Sequence, residues 1–360
     1  MKKIIITGVL ALLCMATLPL DVQSQGVITQ PRTASPGAIV TQTIGISTVS
    51  VNYSRPSVKG RKVWGQLVPY GWTKAAAGDQ PWRSGANENT VIEFSHDAMV
   101  EGKNVPAGKY GFFLVINEDN SGEVILSKDY RSWGAFHYNA ANDAMRAPIK
   151  VRDNQHTETL TYDFINATKT GAELVLNWEK KQFPVKIEFD VDGIVMANAT
   201  QQLKGPVGFT WQGYTSAANY ALANKVNLDQ AEKWIDQAIT ANKSFTTLQV
   251  KANILRQTNR TAEADKLMKE AIPLGTENEL NNYGYTLLNN GQIDQAIEVF
   301  LLNTTKYPAS ANTFDSLGEA YVTKGDNKNA IKNFKKSLSL NPSDGTKANS
   351  EKFLKQLGVM

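Results

Sequence analysis

Cysteine is all but missing from this chain: Cys14 is the single thiol in 360 residues. A disulfide framework and cysteine-based metal sites are excluded at once. Histidine is nearly as scarce, with only His96, His137 and His156. None stands at zinc-motif spacing from another His, Asp or Glu. Ser95-His96-Asp97 holds the letters of a catalytic triad, but neighbours on a strand point to opposite faces, so as a strand it is no triad. Gly102 to Lys109 is one residue too long for a phosphate loop, and no Ser or Thr follows Lys109. Asn117, Asp119 and Ser121 echo a calcium loop, but Lys128 stands where the bidentate Glu belongs. There is no nucleophile elbow. Charge of one sign is lacking too: the net charge of +4 is small and spread out, which gives no footprint for nucleic acid. No cofactor, metal or catalytic group is expected, and a non-catalytic role follows.

What is present begins with an export signal. Lys2 and Lys3 precede an apolar run from Ile4 to Leu20 that Pro19 interrupts, and Val22-Gln23-Ser24 offers small residues for cleavage before Gln25. Leu13 occupies the place before Cys14 where a lipoprotein signal needs a small residue, so lipidation is not expected. Residues 1–24 read as a cleaved signal peptide and 25–34 as a flexible lead-in. The mature chain would be periplasmic or secreted, with no transmembrane span and no cysteine.

From 35 to 191 the pattern is β. Thr48 to Tyr53 alternates strictly and puts Val49, Val51 and Tyr53 on one face. Strands are expected at Val91 to Phe94, Tyr110 to Ile116, Glu123 to Ser127, Glu158 to Phe164, Ala172 to Trp178 and Val185 to Val191. Glu101-Gly102 and Pro106-Ala107-Gly108 read as turns. Short strands with turns at this spacing predict a β-sandwich, closed or nearly so. Residues 192–210 read as a linking helix and linker, ended by Gly205-Pro206. From Trp211 the periodicity is helical to residue 360.

The helical half repeats. Leu280, Tyr283, Gly284, Leu287, Gly291, Ala296, Phe300 and Pro308 are matched 34 residues later by Phe314, Leu317, Gly318, Tyr321, Gly325, Ala330, Phe334 and Pro342. Two degraded units precede them, one carried by Leu248, Ala252, Leu255, Ala264, Met268 and Ala271 at a spacing two residues short. Ala231, Ile235 and Ala238 mark the other. Phe353, Leu354 and Leu357 would belong to a capping helix. This pattern resembles tetratricopeptide (TPR) repeats. The expected architecture is multidomain β plus α, a β-sandwich followed by a TPR-like α-solenoid. The resemblance implies a concave groove for a polypeptide partner, lined by Gln249, Asn253, Arg256, Asn278, Asn281, Tyr285, Asn289, Asn312, Asp315 and Glu319. That groove is rich in amides and lacks a Lys/Arg clamp for a peptide carboxylate. It would either stand open or pack on the chain's own β-domain. Lys328, Lys332 and Lys336 lie four apart on one helix, read as a solvated face or a dock for an acidic partner.

A second resemblance covers about Ser35 to Val191. Ser54-Arg55-Pro56, Lys59-Gly60-Arg61, Trp64-Gly65, Val68-Pro69-Tyr70-Gly71, Trp82-Arg83-Ser84-Gly85-Ala86-Asn87-Glu88 and Val100 to Tyr110 follow the pattern of the bacterial "domain of unknown function 2911" family. So do Ser127-Lys128-Asp129 and Trp133-Gly134-Ala135. Thr73 to Gln80 are extra residues against that pattern. The resemblance implies secreted proteins of Bacteroidetes-like bacteria, often beside TPR units, and no established activity. Arg55, Arg61 and Arg83 are planar donors, and Trp64, Trp82 and Trp133 are flat plates. With Asn87, Glu88 and His137 they could hold a small molecule or carbohydrate, or serve a hydrolytic enzyme. The competing reading is structural, with Trp in the core and Arg bracing loops.

Overall fold

A computed structural model describes residues 34–75 and 78–360. The expected signal peptide and nearly all of the lead-in lie outside the described residues.

Among the described residues the β half contains twelve strands: β1 (Gly37–Ile44), β2 (Ser47–Ser54), β3 (Thr73–Ala75), β4 (Gly78–Gln80), β5 (Val91–Phe94), β6 (Ala98–Val100), β7 (Lys103–Val105), β8 (Gly108–Ile116), β9 (Ser121–Ser127), β10 (Asp143–Lys150), β11 (Arg152–Ile165) and β12 (Gly171–Glu188). Strands β1-β2-β5-β8-β9-β10 form one sheet, β11-β12-β6-β7 the second, and β3-β4 a separate hairpin. The two sheets face each other over a core that includes Val49, Phe94, Phe112, Leu126, Leu174 and Trp178. Strand β10 runs beside β7 and β12, and β1 beside β11, so both flanks of the sandwich are nearly closed. This protects edges that would otherwise offer unpaired backbone groups.

Two elements differ from expectation. Ala172 to Trp178 and Val185 to Val191 are not separate strands: β12 runs unbroken through 18 residues. Glu179 takes a left-handed φ of 53° and the pairing with β11 shifts register around it. A bulge thus absorbs the polar stretch Glu179-Lys180-Lys181-Gln182 between the two expected strands. Strand β10 was not expected, because Pro148 interrupts its alternation. It is an edge strand of its sheet, where a missing N–H removes no ladder bond.

The outer face of the six-stranded sheet carries a second, smaller apolar cluster. Phe113, Val115 and Ile125 are buried there with Ala135, under Trp72 and Tyr138.

Helix α1 (Val191–Gln202) follows, its N-terminus capped by Asp190, which accepts from the Gly193 N–H at 3.1 Å. The array is α2 (Trp211–Asn224), α3 (Leu228–Ala241), α4 (Phe245–Gln257), α5 (Thr261–Ala271), α6 (Glu277–Asn289), α7 (Ile293–Lys306), α8 (Ala311–Lys324), α9 (Asn327–Leu338) and α10 (Asp344–Gln356). Helices pair as α2/α3, α4/α5, α6/α7 and α8/α9, with α10 against the last pair. The glycines at the repeat positions are steric necessities. A Cβ at Gly284 would stand 2.5 Å from the Phe300 ring, and one at Gly318 2.7 Å from the Phe334 ring. Four pairs and a terminal helix bury what one pair alone leaves exposed.

The β half meets the array at its first helices. Asp192 on α1 accepts from Lys169 Nζ at 2.9 Å and from the Tyr220 hydroxyl at 2.7 Å, and Lys169 also reaches Asn224. Lys169 and Tyr220 together hold the Asp192 carboxyl below its usual range. Among the described residues no strand packs extensively against α4 to α10.

Candidate functional site

Successive repeat units do not meet equally. Helix α3 packs on α4, and α7 packs on α8, but α5 and α6 lack the equivalent close approach. Three local features open this junction. Leu280 follows Leu248 by 32 residues where the later repeat takes 34. Helix α5 has 11 residues against 14 in α7 and gives way to a 3-10 turn, Ile272–Leu274, containing Pro273. Finally, the helix positions that seal the other junctions are polar here. Val250 and Ile254 on α4, and Ser316 and Ala320 on α8, are buried. Their counterparts on α6, Asn282 and Thr286, are exposed.

The junction is held at one end only. Phe245 and Tyr283 meet edge to face with ring centroids 5.8 Å apart, Thr246 donates to Glu279, and Lys306 Nζ donates to the carbonyls of Pro273 and Gly275 at 2.9 and 2.6 Å. Beyond that hinge the units splay into a cleft of about 680 Å³, within the range of about 300–1,000 Å³ common for ligand sites. Its apolar floor is Met268, Ile272, Tyr283, Leu287 and Val299. Its walls carry the amides of Gln249, Asn253, Asn290, Gln292 and Gln295. The charges around it balance: Arg256 pairs with Asp265 at 3.1 Å, and Lys269 and Glu298 also line it. Three of the expected groove residues, Gln249, Asn253 and Arg256, therefore come together in one cleft.

The remaining expected groove residues do not line it. Asn278 and Asn289 are exposed, and Asn281 and Asn312 are half-buried. The Tyr285 hydroxyl bonds to Ser316 and Glu319, each at 3.2 Å. Asp315 is buried under α10, accepting from Ser350 and, at 2.8 Å, from Asn349. Glu319 accepts from the same Asn349 amide at 2.6 Å. Burial pushes both carboxyls above their usual range. The expected continuous groove is thus divided: its last unit is engaged by the chain's own terminal helix. A second cleft, of about 470 Å³, lies one repeat on from the first. Its Leu317, Tyr321, Asn329, Lys332 and Asn333 stand 34 residues after Tyr283, Leu287, Gln295, Glu298 and Val299. The lysine face thus borders a repeat-equivalent cleft, with Lys332 in the place of Glu298.

In the β half, most of the expected ligand residues brace the fold. Trp64 is buried and packs on Trp82, Trp178 and Phe183. Trp82, half-buried, stacks on Trp178 at 5.8 Å. These two rings belong to the core, which corrects their reading as open plates. Arg55 donates to the Leu160 carbonyl and the Thr161 hydroxyl at 3.1 and 2.7 Å. Arg61 turns back on the carbonyls of Val58 and Ser57. Arg83 donates to the Asn87 carbonyl and lies over the Phe136 ring, 5.4 Å from its centroid; burial lowers its pKa. Asn87 donates to the Ser35 carbonyl at 3.2 Å. Glu88, Trp133 and His137 are exposed, the last two on the loop whose Phe136 ring lies under Arg83. Ser95 and His96 do meet, Oγ to Nδ1 at 3.0 Å, because they sit in a bend after β5 and not within a strand. Asp97 instead accepts from the Ala107 N–H at 2.8 Å, so the triad stays incomplete.

Sequence reasoning missed a different β-half cluster: Trp72, Tyr138, Asp143 and Arg146. Arg146 and the Tyr138 hydroxyl both donate to Asp143 Oδ2, and the guanidinium lies 5.0 Å from the Trp72 ring centroid. No motif spacing links these residues, since a loop and a hairpin bring them together.

Comparison with known proteins agrees with both halves. Residues 35–187 match the family described as "Protein of unknown function (DUF2911)", and residues 311–344 match a tetratricopeptide repeat. The chain carries a DUF2911 domain followed by TPR repeats. Several solved structures resemble the array. One is YrrB, described as a TPR protein with an unusual peptide-binding site, at 19% identity over 44% of this chain and 81% of that one, TM-score 0.30. Pseudomonas aeruginosa pilF matches at 21% identity over 42% and 71%, TM-score 0.30. MamA from Desulfovibrio magneticus RS-1 matches at 16% over 43% and 96%, TM-score 0.27. No curated protein matches the chain.

Proposed function

We propose that this protein is an exported scaffold that binds a polypeptide segment through its TPR array, with the DUF2911 domain as a brace. The observation that carries the reading is the splayed junction between the second and third repeat units. Its amides can both donate to and accept from a peptide backbone, and its floor can take an aliphatic side chain. Balanced charge favours a largely uncharged segment over an acidic or basic one. Export rests on the N-terminal signal pattern, and places the partner in the periplasm or outside the cell. The full chain, expressed in its own kind of host with a photocrosslinking residue at Asn253 or Gln295, should capture discrete polypeptides. A crosslinker at exposed Lys233 on α3 serves as control. Capture that is equal at all three positions, or absent at the two cleft positions, overturns the reading. The mature N-terminus, read by mass spectrometry, should be Gln25.

A further inference from the structure

The outer face of the six-stranded sheet carries a cleft of about 540 Å³ with no part in the scaffold reading. Trp72, Tyr138, Asn139 and Arg146 line it, and Asp79 of the β3–β4 hairpin forms one wall. These groups are held in place from behind. Arg146 gives Nε to Asp143 and Nη2 to the Tyr138 hydroxyl at 2.7 Å, and its plane lies against Trp72. Its Nη1 has no partner among the described residues. The Asn139 side-chain oxygen accepts from the Ala141 N–H at 3.0 Å, leaving its NH₂ as a donor. Asp79 is paired with Lys74 at 2.6 Å and keeps acceptor capacity. The carboxylate behind Arg146 is nine-tenths buried, with a side-chain exposure of 8%. Its cost of desolvation is offset only while the guanidinium stays in place, so the donor array is rigid.

We infer that this cleft binds an uncharged saccharide. Each alternative ligand class meets an opposing group. A free anion would face a guanidinium already neutralised by Asp143, with Asp79 nearby. A cation would find Asp79 already paired with Lys74 and Asp143 already paired with Arg146. A purely apolar ligand would strand the polar edges of Asn139, Asp79 and Arg146 without partners. A pyranose ring offers hydroxyls that donate and accept at its edge and a C–H face that suits the part of the Trp72 indole left uncovered by Arg146. The cleft volume falls within the range of small-molecule sites. These residues are distinct from the Arg55/Arg61/Trp64/Trp82 set, which is engaged within the fold.

The test is isothermal titration of the full mature chain with cellohexaose, xylohexaose, mannohexaose and chitohexaose, with hexagalacturonate as the charged comparator. At least one neutral hexasaccharide should bind. Trp72→Ala should weaken it about five- to tenfold, the loss expected for one aromatic contact. Because Trp72 also roofs Phe113 and Val115, a second variant is needed. Ala140→Trp fills the cleft from an exposed rim position and should abolish binding with an unchanged melting temperature. Trp133→Ala, outside the cleft lining, should leave affinity unchanged. Absence of binding by every neutral sugar at about 10 mM, an affinity weaker than about −3 kcal/mol, overturns the inference. So does binding that survives Ala140→Trp, or hexagalacturonate binding more tightly than all neutral members.

Discussion

The two halves of this protein use planar and polar side chains in opposite ways. In the sandwich, the conspicuous Arg and Trp residues of the 54–88 segment turn inward: rings stack on rings, and guanidinium groups cap carbonyls. In the array, side chains of no particular prominence, amides above all, keep spare hydrogen-bonding capacity where two units fail to close, even with Gln292 bonded to Gln295 and Arg256 to Asn253. A residue's chemical capability therefore says little until its neighbours are known. Long loops need internal bonds to replace missing ladder bonds, and Arg and Trp are well suited to supply them. A repeat array satisfies its backbone within helices, so its side chains are left available unless another unit covers them.

The comparison breaks most sharply at Trp64. If it is core, Trp64→Ala should cost about 3–5 kcal/mol in denaturant unfolding, whereas exposed Trp133→Ala should change stability by no more than about 0.5 kcal/mol. Equal small effects would return Trp64 to the surface. Next in size is Gly134→Ala. Gly134 has φ +64°, and a Cβ there would lie 2.4 Å from Arg83 Cζ. The substitution should cost about 1–3 kcal/mol through the displaced guanidinium, and the cost should shrink in an Arg83→Ala background. Full additivity of the two would show that Arg83 is not packed where the structure puts it.

The array offers the converse experiment. Replacing Asn282 with Val and Thr286 with Ile restores the apolar pattern that Val250 and Ile254 supply one unit earlier. Closing the junction should raise stability by about 1 kcal/mol and remove crosslinking from Asn253 and Gln295. A stable variant that still captures its partner would separate binding from the splay.

Much of this fold is legible in sequence because periodicity reports burial directly. The 34-residue spacing puts Phe300 over Gly284, and the alternation at 47–54 puts Val49 and Val51 inside. Even the open junction leaves a trace: Leu248 to Met268 keeps the 20-residue offset of Leu280 to Phe300, so the two missing residues fall after Met268, at the end of α5. Strand β10 and the bulge at Glu179 stay hidden, since both depend on edge position and partner register rather than on local composition. The Trp72–Tyr138–Asp143–Arg146 cluster is hidden for another reason: its members span 74 sequence positions and converge only through the β3–β4 hairpin and the 128–142 loop. Exposure of the expected groove fails at Asp315 because the terminal helix competes for that surface, and no periodicity records which copy of a repeat face is capped.

The smallest effect is one of sign. Burial raises the folded pKa of Asp315 and Glu319. Two hydrogen-bonding partners, Lys169 first and Tyr220 second, lower that of Asp192. A carboxyl raised on folding contributes stability that is full below its unfolded pKa and declines as pH rises toward its folded one. A lowered carboxyl contributes stability that is full above its unfolded pKa and is lost as pH falls through its folded one. Acidification through the raised folded pKa values of Asp315 and Glu319 should therefore tighten the seat of α10 on α8, while the Asp192 tether between sandwich and array, lost only below the usual carboxylate range, stays intact. Further acidification should loosen that tether. Tyr285, Ser316, Asn349, Ser350 and nearby Lys352 surround the pair, and burial pushes the Tyr285 hydroxyl far above the carboxylate range. Amide exchange in α10, corrected for intrinsic rates, should slow on acidification, and Asp315→Asn with Glu319→Gln should flatten the response. Faster corrected exchange at the lower pH, or an unchanged slope in the double variant, would show that α10 is held by its apolar contacts through Phe353 and Leu354 alone, and that the two carboxyls lie open to the groove after all.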